Sequence, residues 1–174
     1  MRIELQNGIT LQSGTFNAVI APERVIVSAL NSHADLQRFL FLFVCGNYSR
    51  LLSSISRTSA NFEVRRAFTA HQLFTILKEA AHTIVFVEHD PTMFDGAETM
   101  IPPVSAALRD VGREALVVLY TPSVDRPFSA LVRSADRIVQ ITPAADPSCR
   151  RHRSARPYPP GGLLPPAQTT LEVS

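Results

Sequence analysis

The sequence predicts an α/β domain in which helices cover both faces of a mostly parallel β-sheet. Three runs are almost continuously apolar, Phe39–Cys45, Thr83–Val87 and Ala115–Tyr120, which is typical of strands covered on both faces. Residues 69–81 and 102–112 carry apolar side chains at helical spacing. Strands that alternate with helices indicate βαβ units. The chain has 174 residues, of which 45% are hydrophobic, so it can bury the core of one such domain.

The first element is a pair of short strands within residues 5–20. The dipeptides Asn7-Gly8 and Ser13-Gly14 favour turns because both residue types tolerate unusual backbone angles. The second strand is predicted over Thr15–Ile20.

The segment Glu23–Arg38 is ambiguous. Its β-branched residues 25–27 suit a strand, whereas Pro22 and Glu23 are residues that favour the first turn of a helix. We expect a helix.

Four further elements are predicted around the buried strands. A helix is expected over Tyr48–Arg57 and a short alternating strand over Phe62–Arg66. Thr69 is expected to cap the helix that starts there, because its hydroxyl can accept a backbone hydrogen bond. A short helix over Pro127–Ala135 and a last strand over residues 137–141 complete the core.

The composition changes after residue 142. Residues 143–168 contain more than half of the chain's thirteen prolines and no large apolar cluster. We therefore expect a core over residues 1–142 and a flexible tail rich in proline and arginine over residues 143–174. Arginines in this tail are candidates for weak, salt-sensitive contacts with DNA phosphates: Arg150, Arg151, Arg153 and Arg156.

Several protein classes are disfavoured by simple counts. The longest apolar run, residues 39–45, is far shorter than the roughly 20 residues that a membrane span needs, and the first residues lack the apolar centre of a signal peptide. Cys45 and Cys149 form neither a metal-binding pattern nor a disulfide framework. We therefore expect a cytoplasmic protein that makes no membrane contact.

The order of these segments resembles RecA-like ATPase cores, particularly archaeal RadA and its relatives, which include KaiC-like proteins. Residues 5–17 resemble that family's glycine-punctuated entry into its first core strand, and residues 63–72 resemble its R-A-F and H-Q segment. Thr83–Glu88 resembles the Walker B strand with its terminal acid, and Asp136–Val139 resembles a later strand. The resemblance covers about residues 3–142 and implies the P-loop NTPase fold, with Glu88 as the Walker B-like acid.

The phosphate-binding loop of that family has no counterpart here. The family's first strand runs into G-x-x-x-x-G-K-[ST], whose backbone N–H groups, lysine and hydroxyl bind phosphates and magnesium. In this chain, the strand that ends at Ile20 is followed by Ala21-Pro22-Glu23, and neither a glycine nor a lysine occurs between Gly14 and Gly46. The second core strand ends at Cys45-Gly46-Asn47 without the catalytic carboxylate of the family. We therefore expect neither a catalytic residue nor a nucleotide cofactor.

The densest polar cluster follows the strand that ends at Glu88. Glu88, His89 and Asp90, with Asp95 nearby, carry the oxygen and nitrogen atoms of a divalent-metal site or an acid–base pair. The same residues also suit a turn at the end of a strand.

Two functions therefore stand open. In the first, the chain is a non-catalytic RecA/RadA-like paralogue that binds a protein partner, either a RecA-like ATPase or another copy of itself, with DNA recombination or repair as the expected setting. In the second, it binds a small ligand or a metal, or acts as an enzyme, through the Glu88–His89–Asp90 cluster.

Overall fold

The fold is known from a computed structural model, which describes residues 2–4, 9–33, 36, 38–56 and 59–141. Its main feature is a six-stranded sheet in the order β5-β4-β6-β7-β3-β8, in which all neighbouring strands are parallel. The six strands are β3 (Thr15–Ile20), β4 (Phe41–Cys45), β5 (Phe62–Arg66), β6 (Ile84–Glu88), β7 (Leu116–Thr121) and β8 (Arg137–Gln140). The helices are α1 (Glu23–Ser32), α2 (Ala70–Glu79), α3 (Ile101–Gly112) and α4 (Arg126–Leu131). The α/β class with a parallel sheet, predicted from sequence, is confirmed.

A separate two-stranded hairpin precedes the sheet. Strands β1 (Arg2–Glu4) and β2 (Thr10–Gln12) pair antiparallel, with Ile3 opposite Leu11. The predicted turn at Asn7-Gly8 lies outside the described residues.

Each face of the sheet supports its own apolar core because successive side chains of a strand point to opposite faces. In β4, Leu42 and Val44 pack in one core with side chains of α2, α3 and α4. Phe41, Phe43 and Cys45 belong to the other core, which contains Ile26 of α1. These strands are continuously apolar because both of their faces are covered, as the sequence indicated.

The prediction of a helix over residues 48–57 is wrong. The described part of this segment forms bends and turns around Leu51–Ile55. Side chains from elsewhere in the fold bind its backbone. The N–H of Arg50 donates to the Glu88 carboxylate over 2.9 Å. Asn31 bonds to the carbonyl of Ser54 and the N–H of Ser56, each over 2.9 Å.

The ambiguous segment after Pro22 is a helix, but it is shorter than predicted. Helix α1 ends at Ser32, and His33 leaves the helical region with φ −95° and ψ 82°. At the start, Glu23 lies in the first turn as predicted, whereas Pro22 precedes the helix as its N-cap with φ −59° and ψ 143°.

The other predicted helices agree with the structure. The hydroxyl of Thr69 accepts the N–H of Gln72 over 3.3 Å and caps α2. Helix α3 has a proline in its first turn and ends at Gly112. The tail over residues 143–174 lies outside the described part of the chain. In the part that the structure does describe, no helix is both long and apolar enough to cross a membrane.

Candidate functional site

A polar cleft of about 470 Å³ lies at the carboxyl ends of the parallel strands. Its walls are the segments that follow β4, β6 and β7, and they include Arg50, Glu88, His89, Asp90 and Asp125. Open parallel sheets bind their ligands at this edge, so the cleft is the first place to examine for a site.

Glu88 ends β6 and is buried. One carboxylate oxygen accepts the N–H of Arg50 over 2.9 Å, and the other accepts the hydroxyl of Ser49. Both carboxylate oxygens of Glu88 therefore hold the loop after β4 in place.

His89 is buried beside the rings of Phe94 and Phe128, with centroid distances of 6.2 and 5.4 Å. Its Nε2 is 2.8 Å from Oδ2 of Asp125, and Oδ1 of Asp125 accepts the N–H of Phe128 over 2.8 Å to cap α4. Burial lowers the pKa of His89, although the neighbouring Asp125 opposes that shift. A neutral His89 that donates to Asp125 joins the end of β6 to the start of α4.

Asp90 also bonds within its own turn. Its Oδ1 accepts the N–H and the hydroxyl of Thr92, over 3.0 and 2.7 Å, at the start of a short 3₁₀ helix. Oδ2 lies against Gly46, where an added Cβ would be only 2.1 Å away. Gly46 therefore makes room for this carboxylate. Asp95 is exposed at the other end of the same 3₁₀ helix.

The four residues of the predicted polar cluster are neighbours, but they do not converge. Glu88 lies with Ile84 and Phe86 on the α1 face of β6, whereas His89 packs on the opposite side against Phe128. Within the described ranges, no three His, Cys, Asp or Glu residues are arranged to hold a metal ion.

The connection between β3 and α1 contains only Ala21 and Pro22. The N–H of Ala21 donates to the carbonyl of Thr121 over 3.2 Å, and its carbonyl accepts the Tyr120 hydroxyl over 3.1 Å. Burial raises the pKa of Tyr120, which keeps the hydroxyl protonated as a donor. The residues present do not fit a nucleoside triphosphate. The N–H of Ala21 is already bonded, Pro22 has none, and Glu23 places a carboxylate at the start of the helix.

Three features of this edge escaped the sequence analysis. Asp125 before Arg126-Pro127 is a recognisable N-cap signal, and the structure confirms that it caps α4. The contact between Gly46 and Asp90, and the salt bridge of 3.6 Å between Arg50 and Glu23, join residues far apart in the chain and have no local signal. The predicted DNA contacts at Arg150, Arg151, Arg153 and Arg156 lie outside the described residues.

Comparison with known proteins gives one informative similarity. No protein-family model matches the chain. A segment of 129 residues, 74% of this chain, is 40% identical to an uncharacterized protein of Archaeoglobus fulgidus. The match covers 65% of that protein, so this chain spans slightly less than two thirds of its relative's length. The chain is thus similar to an archaeal protein whose description states no activity.

Proposed function

We propose that this protein is a non-catalytic paralogue of RecA/RadA-like ATPases that acts in the cytoplasm as an interaction or regulatory partner of another protein, in a setting such as DNA recombination or repair. The observation that carries the proposal is the connection between β3 and α1. Two residues, Ala21 and Pro22, stand where the resembling family has its phosphate-binding loop.

The positions of the strands support the proposed ancestry. The strand that precedes the missing loop, β3, is separated from the Walker B-like strand β6 by β7 alone, and all three end at the same edge. The resemblance would place a nucleotide between the ends of β3 and β6. In this chain, the Tyr120 hydroxyl bonds to Ala21 and Glu88 binds the loop after β4.

The internal pairing of the polar residues supports a non-catalytic role. Phosphoryl transfer depends on positioned charges that act on the substrate. Here the carboxylates of Glu88, Asp90 and Asp125 each accept hydrogen bonds from the protein itself. They stabilise the edge of the sheet and leave its outer surface for contacts.

The test is calorimetry with ATP and magnesium titrated into the purified full chain. We expect neither binding heat nor a rise in the melting temperature. Micromolar binding would contradict the proposal, because it would require a phosphate site built from residues other than a loop after β3. A RadA-like ATPase with an intact phosphate-binding loop, titrated in parallel, is the positive control.

The cleft of about 470 Å³ favours a second candidate function, the binding of a small polar ligand beside Glu88, His89 and Asp90. A metal ion at the same place would require these three side chains to turn towards one another. This function predicts that Glu88→Ala and His89→Ala reduce the affinity for Mn²⁺ or Zn²⁺ and abolish any stabilisation by the added metal. Unchanged metal affinity in both variants would exclude it.

The proposal of a RecA/RadA-like paralogue also includes weak DNA binding through the arginines after residue 148. Removal of residues 148–174 is expected to weaken DNA binding and to flatten its dependence on salt, because fewer phosphate contacts release fewer counterions. Fluorescence anisotropy with labelled DNA at several salt concentrations measures both effects.

A further inference from the structure

Large apolar side chains are exposed at the same edge as the cleft. Five large hydrophobic residues in the described ranges are exposed, and three of them follow the carboxyl ends of strands: Tyr48 (86%), Phe68 (54%) and Val124 (54%). Exposed aromatic side chains that cluster on a surface commonly mark a binding site for another molecule.

Tyr48 and Phe68 follow the carboxyl ends of the neighbouring strands β4 and β5. Cys45 of β4 is level with Arg66 of β5, and the N–H of Ala67 continues the pairing to the carbonyl of Cys45 over 2.9 Å. Paired strands lie about 4.8 Å apart, so the segments that carry the two aromatic residues begin next to each other. We define the aromatic edge patch as Tyr48, Arg50, Arg66 and Phe68.

Tyr48 is carried by a loop that is fixed on both sides. The guanidinium of Arg66 donates to the carbonyl of Asn47 over 2.5 Å, and the N–H of Arg50 donates to Glu88 over 2.9 Å. The backbone that carries the exposed ring is therefore held in position before any partner binds.

Phe68 is held outward in a similar way. Its N–H donates to the side-chain oxygen of Gln72 over 2.7 Å, while Thr69 caps the same helix. Ala67 and Ala70 on either side of this turn are buried. The backbone that carries Phe68 is therefore fixed before any partner binds, which lowers the entropic cost of binding.

The patch is cationic. Arg50 is 72% exposed, and its pair with Glu23 at 3.6 Å is a weak surface ion pair. Arg66 is also exposed, and the first turn of α2 contains no acidic residue to offset the positive end of the helix. Tyrosine and arginine side chains dominate the binding energy of many protein interfaces.

We propose that the aromatic edge patch binds an acidic segment of a partner protein, in which an apolar side chain packs against Tyr48 and Phe68 while flanking carboxylates pair with Arg50 and Arg66. This inference rests on the proposed interaction function and specifies the chemistry of the partner. Arginine pairs with carboxylates through two parallel hydrogen bonds, which suits a segment that contains Asp or Glu.

The test is selection of a phage-displayed random peptide library on the full-length protein, followed by polarisation measurements with the selected peptides. We expect peptides that combine Asp or Glu with Phe, Leu or Trp. Tyr48→Ser and Phe68→Ser should each weaken binding by about tenfold or more, as expected for hot-spot residues. Arg50→Gln and Arg66→Gln should weaken binding and reduce its salt dependence.

The matched control is Leu40→Ser, because Leu40 is 50% exposed but precedes β4 at the opposite edge of the sheet. It should leave peptide binding unchanged, and thermal melting of every variant separates lost binding from lost folding. Selected peptides without carboxylates, or with affinities that Tyr48→Ser and Phe68→Ser do not change, would overturn the inference.

Two other occupants of the aromatic edge patch are tested with the same variants. If labelled oligo-dT binds the wild type but not Phe68→Ser, the patch is a nucleic-acid surface. Self-association in sedimentation that the same variant abolishes would make it a contact between copies of the chain. Either result overturns the acidic-segment inference. Nucleotide binding in the calorimetry would instead contradict the proposed function and leave the peptide results intact.

Discussion

The carboxyl ends of β6 and of the β4–β5 pair lie at the same edge of the sheet. The side chains that follow them differ in whether they bond inward or face outward. At the end of β6, polar groups bond inward, so that Glu88 binds the loop of Arg50 and His89 binds Asp125. At the ends of β4 and β5, aromatic groups stand outward at Tyr48 and Phe68. The most polar cluster of the sequence thus bonds within the fold, whereas Tyr48 and Phe68 expose their rings to solvent.

The largest expected effect comes from Glu88→Ala. The substitution leaves the N–H of Arg50 and the hydroxyl of Ser49 without their acceptor in a part-buried position. The free energy of unfolding should fall by about 2 to 3 kcal/mol, as expected for hydrogen bonds to a charged group. Urea unfolding measures the change.

The control for that experiment is Glu98→Ala. Glu98 is exposed and begins a short 3₁₀ helix, so its loss should change the unfolding free energy by less than about 0.5 kcal/mol. Equal effects of the two substitutions would show that Glu88 does not stabilise the edge of the sheet.

The next effect is expected from Gly46→Ala. The added Cβ would lie 2.1 Å from Oδ2 of Asp90, so the carboxylate or the loop must move. We expect a loss of about 1 to 3 kcal/mol in urea unfolding, typical of an overpacked site. The loss should be smaller in the Asp90→Gly background, because the clashing side chain is then absent. An undiminished loss in that background would place the clash elsewhere.

A smaller effect should appear as a dependence of stability on pH. The pKa of His89 is lowered in the folded protein, so the unfolded chain takes up a proton at a higher pH than the folded chain does. The free energy of unfolding is therefore unaffected by His89 titration above the ordinary histidine pKa near 6.5, and it falls as the pH drops through and below that value. Urea unfolding at pH 7.5 and pH 5.5 measures the difference.

His89→Phe should reduce that difference, since it removes the titrating group while keeping a ring beside Phe94 and Phe128. His71→Asn is the control because His71 is exposed at the start of α2. If the pH dependence remains in His89→Phe and disappears in His71→Asn, His89 is not the group that causes it.

The smallest stability effect is expected for Tyr48→Ser and Phe68→Ser. Both side chains are exposed, so the unfolding free energy should change by less than about 0.5 kcal/mol in either direction. A loss of several kcal/mol at either position, measured by the same urea unfolding, would mean that the ring stabilises the fold and would remove the contrast between the two strand ends.

The parts of the fold that the sequence predicted well are those with strong local signals. Thr69 caps α2 as predicted, and the apolar run that includes Phe41–Cys45 forms a strand covered on both faces. The prediction was wrong at residues 48–57, where the N–H of Ser56 donates to the side chain of Asn31 rather than to a carbonyl within a helix. Side chains from distant positions decided that segment, and local propensity contains no information about them.

By itself, the sequence determined the α/β class, the positions of the buried strands along the chain and the absence of a glycine-rich loop after Ile20, because hydrophobic period and residue type are local properties. Only the tertiary structure decided how the candidate site is used. Sheet pairing brings Glu88 to Arg50, Asp90 to Gly46 and Tyr120 to Ala21, which are contacts between residues far apart in the chain. Whether a polar group bonds inward or faces a partner depends on such contacts, since burial is set by the packing of the whole domain.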